Sequence, residues 1–411
     1  MVRWHLTVAI LLLLHFLAIA QNPRETASRY ISSGDMHLKM GNVDRAIQEY
    51  RMAIEIDPTA AEAYMKRAKV YAVLGRNAEA MQDYNAAINI NPQSAIFYDA
   101  RAKLKALITD YEGAKADLET ALQLEPFNQI YKEHKADVEF SQQDYESALK
   151  DLEQLIQENP QEPNYELKRV LMEIQAKDYS KAFTHIENFL EKKPQSVIGN
   201  NLKALILSEQ GKHKEAIELL SAVIKTKPDV DISYIIRSLI FTRLGKKEAA
   251  LADLDRAIQL NTTYIYALFN RAVIQKQLGY IDAAESDYTK FIAIDSSYAE
   301  AFLNRGFARK LLGNFSEAST DFEKSLKKDP RNVKTLNALA NLKVLYGYYA
   351  NAIQDYTKAI ELDDSNASLW FNRGLAQLLN HKTREGCEDL QKSQSLGLKQ
   401  AEEFIRSFCL N

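Results

Sequence analysis

The sequence predicts an all-α chain, a linear solenoid of eleven 34-residue helix–turn–helix units closed by one further helix. Three observations carry this. Alanine returns every 34 residues, at Ala46, Ala80, Ala114, Ala148, Ala182, Ala216, Ala250, Ala284, Ala318 and Ala352, with Gly386 in the eleventh place. Between these positions the apolar residues keep helical spacing: Tyr64, Ala68 and Tyr71 stand at i, i+4 and i+7 of one unit. Chain breakers are scarce, with 14 Gly and 9 Pro in 411 residues, against roughly 7% and 5% in average chains. A strand-rich or α/β fold of this length needs more turns than that.

Taken in order, residues 1–20 read as a secretory signal peptide. Arg3 precedes an apolar run from Leu6 to Ala20, which ends Ala18-Ile19-Ala20 before Gln21. The competing reading is an uncleaved anchor, but fifteen apolar residues fall short of the roughly twenty that span a bilayer. Cleavage leaves no membrane span and places the chain outside the cytoplasm, in a periplasm, at a cell exterior or in an endoplasmic reticulum lumen. Residues 21–26 form a short linker. Residues 27–400 hold the eleven units. Glycine ends the first helix in seven of them, as at Gly75, where a residue free to take positive φ is needed. The second helix turns Tyr50, Tyr84, Leu118 and their successors inward, four residues after each alanine. Proline stops that helix in seven units, from Pro58 to Pro330. Small residues such as Ala68 and Ala80 let paired helices approach, and no unit buries both faces alone, so the units stack. Residues 401–411 supply the capping helix.

The recurring order of aromatic or Leu, small, aromatic, Ala, aromatic, Ala and Pro over residues 27–400 resembles the tetratricopeptide repeat family. The resemblance implies a right-handed superhelix whose first helices line a concave groove, with binding of peptides or protein segments as the usual role. The unit 163–196 departs most, with Glu166 and Val170 in slots that elsewhere hold an aromatic and a small residue.

Nine units share a basic slot, running Arg67, Arg101, Lys135, Arg169, Lys203, Arg237, Arg271, Arg305 and Arg373. A basic stripe for nucleic acid is one reading. The formal charge of −3 opposes it, and so does an acidic series at the same interval: Glu49, Asp83, Asp117, Asp151, Asp253, Asp287, Asp321, Asp355 and Asp389. The two series read better as a ladder of ion pairs stitching helices together. The ladder is expected to fail where the acidic slot holds His185 and Leu219.

The resemblance places groove residues three and four apart along each first helix. In the first four units those slots are mixed polar. In the fifth to eighth they turn apolar: Leu167, Leu171, Ile198, Leu202, Leu205, Ile232, Ile235, Ile236, Leu239, Tyr266, Phe269 and Val273. Such a run predicts a docking site for a peptide or helix, with Tyr266 and Phe269 as anchors. The alternative is that these side chains are buried between neighbouring units or against a second copy. Asn270, Asn304 and Asn372 share one groove slot and resemble the amide rows by which other members hold a peptide backbone. A solvated helix face explains them equally. The Lys and Asn set of a two-carboxylate clamp is not found.

The mature chain has scattered histidines and no metal-binding, nucleophile or phosphate-cradling motif, so neither enzyme, metal nor cofactor is expected. Cys387 and Cys409 are equidistant from Leu398 in the turn after the last unit. An antiparallel helix pair sets them opposite each other, and an oxidising compartment favours a disulfide over two buried thiols. The ending Gly386-Cys387-Glu388-Asp389-Leu390 with a distal Cys409 resembles exported bacterial members of the family. The functional expectation is an exported, non-enzymatic scaffold for a protein or peptide partner. The alternatives are a self-associating component of an envelope assembly and a lumenal co-chaperone, the last disfavoured because no His-Pro-Asp motif is present.

Overall fold

A computed structural model of the chain describes residues 23–262 and 264–409. The predicted signal peptide, residues 21–22 of the linker and residues 410–411 lie outside them. All regular elements among the described residues are helices. First helices begin at Pro23, at Ala61 and then every 34 residues through Ala367. Second helices begin at Val43 and every 34 residues through Thr383, and Ala401–Phe408 closes the chain. The first helix starts inside the segment expected as linker. Pro23 has no N–H to leave unsatisfied at a helix start, and Glu25 favours the positive end of the helix dipole. Two compact units divide the chain, one ending at Leu202 and the other starting at Lys203, so the division falls within the helix Val197–Glu209.

Inside each unit, a hairpin's helices pack on each other and its second helix packs on the first helix of the next hairpin. One core shows the scheme: Ala68, Ala80, Tyr84, Ala87 and Ile88 of one hairpin close on Phe97, Ala100 and Leu104 of its successor. All ten recurring alanines are fully buried. At Gly386 a Cβ would stand 2.9 Å from the carbonyl oxygen of Gly374. The irregular hairpin at 163–196 keeps the same helices, with Val170 buried and Ile186 supplying the smaller facing side chain that Val170 needs.

The turn inside each hairpin takes one conformation throughout. After Ala61–Val73, the Gly75 N–H donates to the Ala72 carbonyl and the Arg76 N–H to Tyr71, which satisfies carbonyls the helix end leaves open. Gly75 has φ +73°. Thr109, Gln143, Lys177 and His381 occupy the same turn position and also take positive φ. At three of these the next residue is aspartate: Asp110, Asp144 and Asp178 accept from the N–H three residues on and cap the following helix. A side-chain N-cap contributes ~1 kcal/mol, which offsets most of the roughly 1–2 kcal/mol that left-handed backbone costs a residue with a Cβ.

The two charge series meet as expected. Arg67 donates to Asp83 through Nε at 2.7 Å and Nη2 at 2.8 Å, and Arg101, Arg237, Arg271, Arg305 and Arg373 repeat this fork on Asp117, Asp253, Asp287, Asp321 and Asp389. The remaining Nη1 reaches back to the second helix of the preceding hairpin, from Arg101 to Asn85, from Arg271 to Asp255 and from Arg305 to Thr289. The guanidinium therefore ties three helices. At Leu339 the basic slot is apolar, and Lys343, one turn later, takes over Asp355 at 2.5 Å. At His185 the ladder does not simply fail: the acid moves to the first helix, with His185 Nδ1 2.7 Å from the buried Glu173. Arg169 is left with its Nε unpartnered among the described residues.

Two predictions follow from turn and ladder. Thr109→Gly removes backbone strain and is expected to stabilise the chain by about 1 kcal/mol in urea unfolding, whereas Asp110→Ala costs ~1 kcal/mol. Glu139 is buried beside Lys135 with Oε2 unpartnered, and burial raises its pKa despite the lysine. Its folded state binds the proton more tightly than the unfolded chain, so it lends stability as pH falls and withdraws it as pH rises. Glu139→Leu leaves Lys135 on Asp151 and should stabilise by roughly 1–2 kcal/mol near about pH 8, the gain shrinking towards about pH 5. Equal gains at both values would contradict this account of Glu139.

Candidate functional site

Some first helices touch their successors, as Ala61–Val73 does Ala95–Leu107 and Ile265–Gln277 does Ala299–Leu311. Their residues at offsets of three and four therefore share one face. In the N-terminal unit Leu171 and Ile198 are exposed there, whereas Leu167 and Leu202 are buried. In the C-terminal unit Leu239 and Tyr266 are exposed, Leu205, Ile232, Phe269 and Val273 are half-buried, and Ile235 and Ile236 are core. Ile235 packs with Tyr234, Ala250, Leu254 and Ala267. The expected apolar run is thus split by burial, and the part open to a partner in the C-terminal unit centres on Leu239, Tyr266, Phe269 and Val273.

Five rings support that part. Phe269 lies 5.3 Å from Tyr298, 5.5 Å from Phe291 and 5.7 Å from Tyr288, and Tyr266 stands edge-on to Phe291 at 5.8 Å. Beneath them Tyr288 is fully buried and its hydroxyl has no partner among the described residues. In two other hairpins the same tyrosine donates to a residue fifteen positions earlier, Tyr50 to Asp35 and Tyr356 to Asn341. Here that residue is Val273, which offers no acceptor. Burial, then the charge of Glu300, pushes the Tyr288 pKa up. At the end of the same helix Lys276 donates to Asn304 Oδ1 at 2.7 Å and lies 5.7 Å from the Phe307 ring. Burial draws its pKa below the ordinary lysine value, with Glu300 opposing.

The amide row is largely committed. Asn304 accepts from Lys276 and donates to the Glu300 carbonyl, and Asn372 donates to Asn337. Asn270 makes no hydrogen bond among the described residues. Cys387 and Cys409 form a disulfide, with Cα atoms 5.6 Å apart. It fastens the closing helix, whose Phe404 and Ile405 cover Phe371 and Leu390.

One feature escaped the sequence reading. In the N-terminal unit a cleft of about 550 Å³ opens between the first helices Ala61–Val73 and Ala95–Leu107, walled by Val73, Ile96 and Leu107 and edged by Lys69 and Lys103. Val73 is 87% exposed. Val73 and Leu107 end their helices, one slot beyond those collected from the sequence. Burial works against ionised Asp99 in this cleft, but His134 at 2.6 Å and Lys103 at 3.0 Å outweigh it and hold its pKa below the ordinary value. Burial and that carboxylate push Tyr84 up to about 12.

Family profiles match along most of the chain. Profiles described as tetratricopeptide repeat match residues 61–94, 100–163 and 265–298, one described as TPR repeat matches 34–75 and 341–380, and the N-terminal TPR repeats region of Psidin matches 164–270. No curated protein matches significantly. Among solved structures, a tetratricopeptide repeat protein from Parabacteroides merdae is 22% identical over 60% of this chain and 96% of its own, with a TM-score of 0.43. A chain of the Cut9–Hcn1 hetero-tetramer of the APC/C is 12% identical over 96% and 98%, at 0.49. Yeast Tom70 is 14% identical over 93% and 95%, at 0.42.

The orphaned hydroxyl allows a direct test. Val273→Asn restores the acceptor present in the Tyr356 hairpin and should stabilise by ~1 kcal/mol, the net value of a new buried hydrogen bond. The gain should vanish in a Tyr288→Phe background, as measured by a double-mutant cycle in urea.

Proposed function

We propose that this chain, which belongs to the tetratricopeptide repeat family, is an exported, non-enzymatic scaffold that holds a protein segment against its first-helix face. Serving protein–protein interaction is the general property of these repeats. The observation that carries the finer reading is the open apolar strip of the C-terminal unit. Tyr266, 51% exposed, shares one helix face with Phe269 and Val273, and Leu239, 42% exposed, holds the matching slot of the preceding first helix. Aromatic side chains with rigid, edge-packed neighbours make good anchors, because little side-chain freedom remains to be lost on binding. Export is supported by the leader pattern of residues 1–20 and by the disulfide at the closing helix, since such bonds persist in oxidising compartments.

A photo-crosslinking residue at Tyr266, in the chain expressed with its own leader, is expected to trap a partner that the same residue at Glu323 on a second helix does not. Leu239→Asp and Tyr266→Asp, both at exposed positions, should lose that partner at least tenfold without loss of helicity. Capture that survives both substitutions, at unchanged affinity, rejects the groove. Intact-mass analysis of the exported chain should show the loss of residues 1–20.

A further inference from the structure

The partner's chemistry can be drawn from two departures within one hairpin, and the argument rests on the groove reading above. The first is Val273. Tyr50 and Tyr356 show that a polar residue in this slot satisfies the tyrosine beneath it. Val273 leaves Tyr288 unsatisfied in the core, a loss of stability that keeps an apolar side chain on the face. The second is Lys276. Lys66, Lys135, Lys168 and Lys343 are half-buried like it, and each ends on a carboxylate. Lys276 ends on a neutral amide, with no carboxylate in ion-pairing range among the described residues. An ammonium has three donors, and this hydrogen bond uses one. Charge on this part of the face is one-sided: Lys276, Lys310 and Lys334 occupy groove slots against a single carboxylate, Glu300.

We infer that the face of the helix Ile265–Gln277 binds an extended peptide segment that carries an apolar side chain and, three residues away, an aspartate or glutamate. The apolar side chain rests on Tyr266, Phe269 and Val273, and the carboxylate accepts from Lys276. The spacing follows from the helix. Seven residues separate Phe269 from Lys276, a rise of about 10 Å at 1.5 Å per residue. A segment extended as polyproline II covers nearly the same length in three residues at about 3.1 Å each, and with three residues per turn it returns the two side chains to one face. Lys276 has further donors besides the one on Asn304 and, among the described residues, no ion pair to give up, so a carboxylate can gain a charge-assisted bond there.

The test uses the oxidised full chain and fluorescein-labelled, end-capped Gly/Ser decapeptides bearing one Leu and one Glu, read by anisotropy. Leu and Glu three residues apart should bind at least tenfold tighter than Leu and Gln at the same spacing, and tighter than Leu and Glu one or six residues apart. Lys276→Met should erase the Glu-over-Gln preference. Lys276→Glu should transfer the preference to a Leu and Lys peptide. Equal affinity for Glu and Gln peptides, indifference to spacing, or no measurable binding of any peptide overturns the inference. If the crosslink at Tyr266 still forms and depends on Leu239, the groove reading survives that failure; if the crosslink is absent too, both fall.

Discussion

The closeness with which two helices meet at one alanine is the constraint on which the rest depends. Ten hairpins bury that alanine completely and the eleventh has Gly386. Once the backbones are this near, volume must be traded locally, because protein interiors are packed nearly without voids. The residue four positions on is always large and buried, from Tyr50 to Leu390. Its opposite number shrinks to suit. Gly34 faces Tyr50 and Gly306 faces Phe322, where a Cβ would come within 2.6 Å of the ring. Val170 is tolerated because Ile186 replaces the ring. The same separation brings the arginine Nε and Nη2 within reach of an aspartate sixteen residues later, so the ion-pair ladder is a consequence of the alanine spacing. Bidentate geometry then keeps the register that packing alone leaves loose.

The turn obeys a second constraint that follows from the first. Helices in such contact can be joined only by a short connection, and the chosen one demands positive φ at a single residue. Glycine meets the demand in seven hairpins. Thr109, Gln143, Lys177 and His381 meet it under strain. The aspartate caps beside three of them are a local compensation, since cap and strained residue are adjacent and of similar magnitude.

Fold and ladder were legible because each rests on residue identity at a fixed interval, and the interval is unbroken from Ala46 to Gly386. The face was legible only as a set of slots. Whether a slot is open depends on the neighbouring first helix, which one unit's pattern does not encode. Ile235 and Ile236 look like Leu239 in sequence but are buried, Ile235 among Tyr234, Ala250, Leu254 and Ala267. The amide row misled for a related reason. Asn304 and Asn372 carry the right groups, yet Lys276 and Asn337 already hold them. Val73 and Leu107 were passed over because they fall at helix ends, where the strict offset rule stops. The reversed pair His185–Glu173 was hidden because both ladder series assume the acid on the second helix.

A solenoid of this kind separates what holds it together from what it presents. The hairpin at 265–298 keeps the common frame in full: Ala272 and Ala284 are buried, Arg271 forks onto Asp287, and Gly279 takes the turn. Its face carries two departures, Val273 above the unsatisfied Tyr288 and Lys276 on a neutral amide. In a globular core an orphaned tyrosine hydroxyl would disturb packing in several directions. Here each hairpin touches mainly its two neighbours, so the loss at Tyr288 stays within one interface. The chain can therefore carry a locally unfavourable substitution on its face without redesign elsewhere. That containment is why departures from the repeat, rather than the repeat itself, point to where a partner sits.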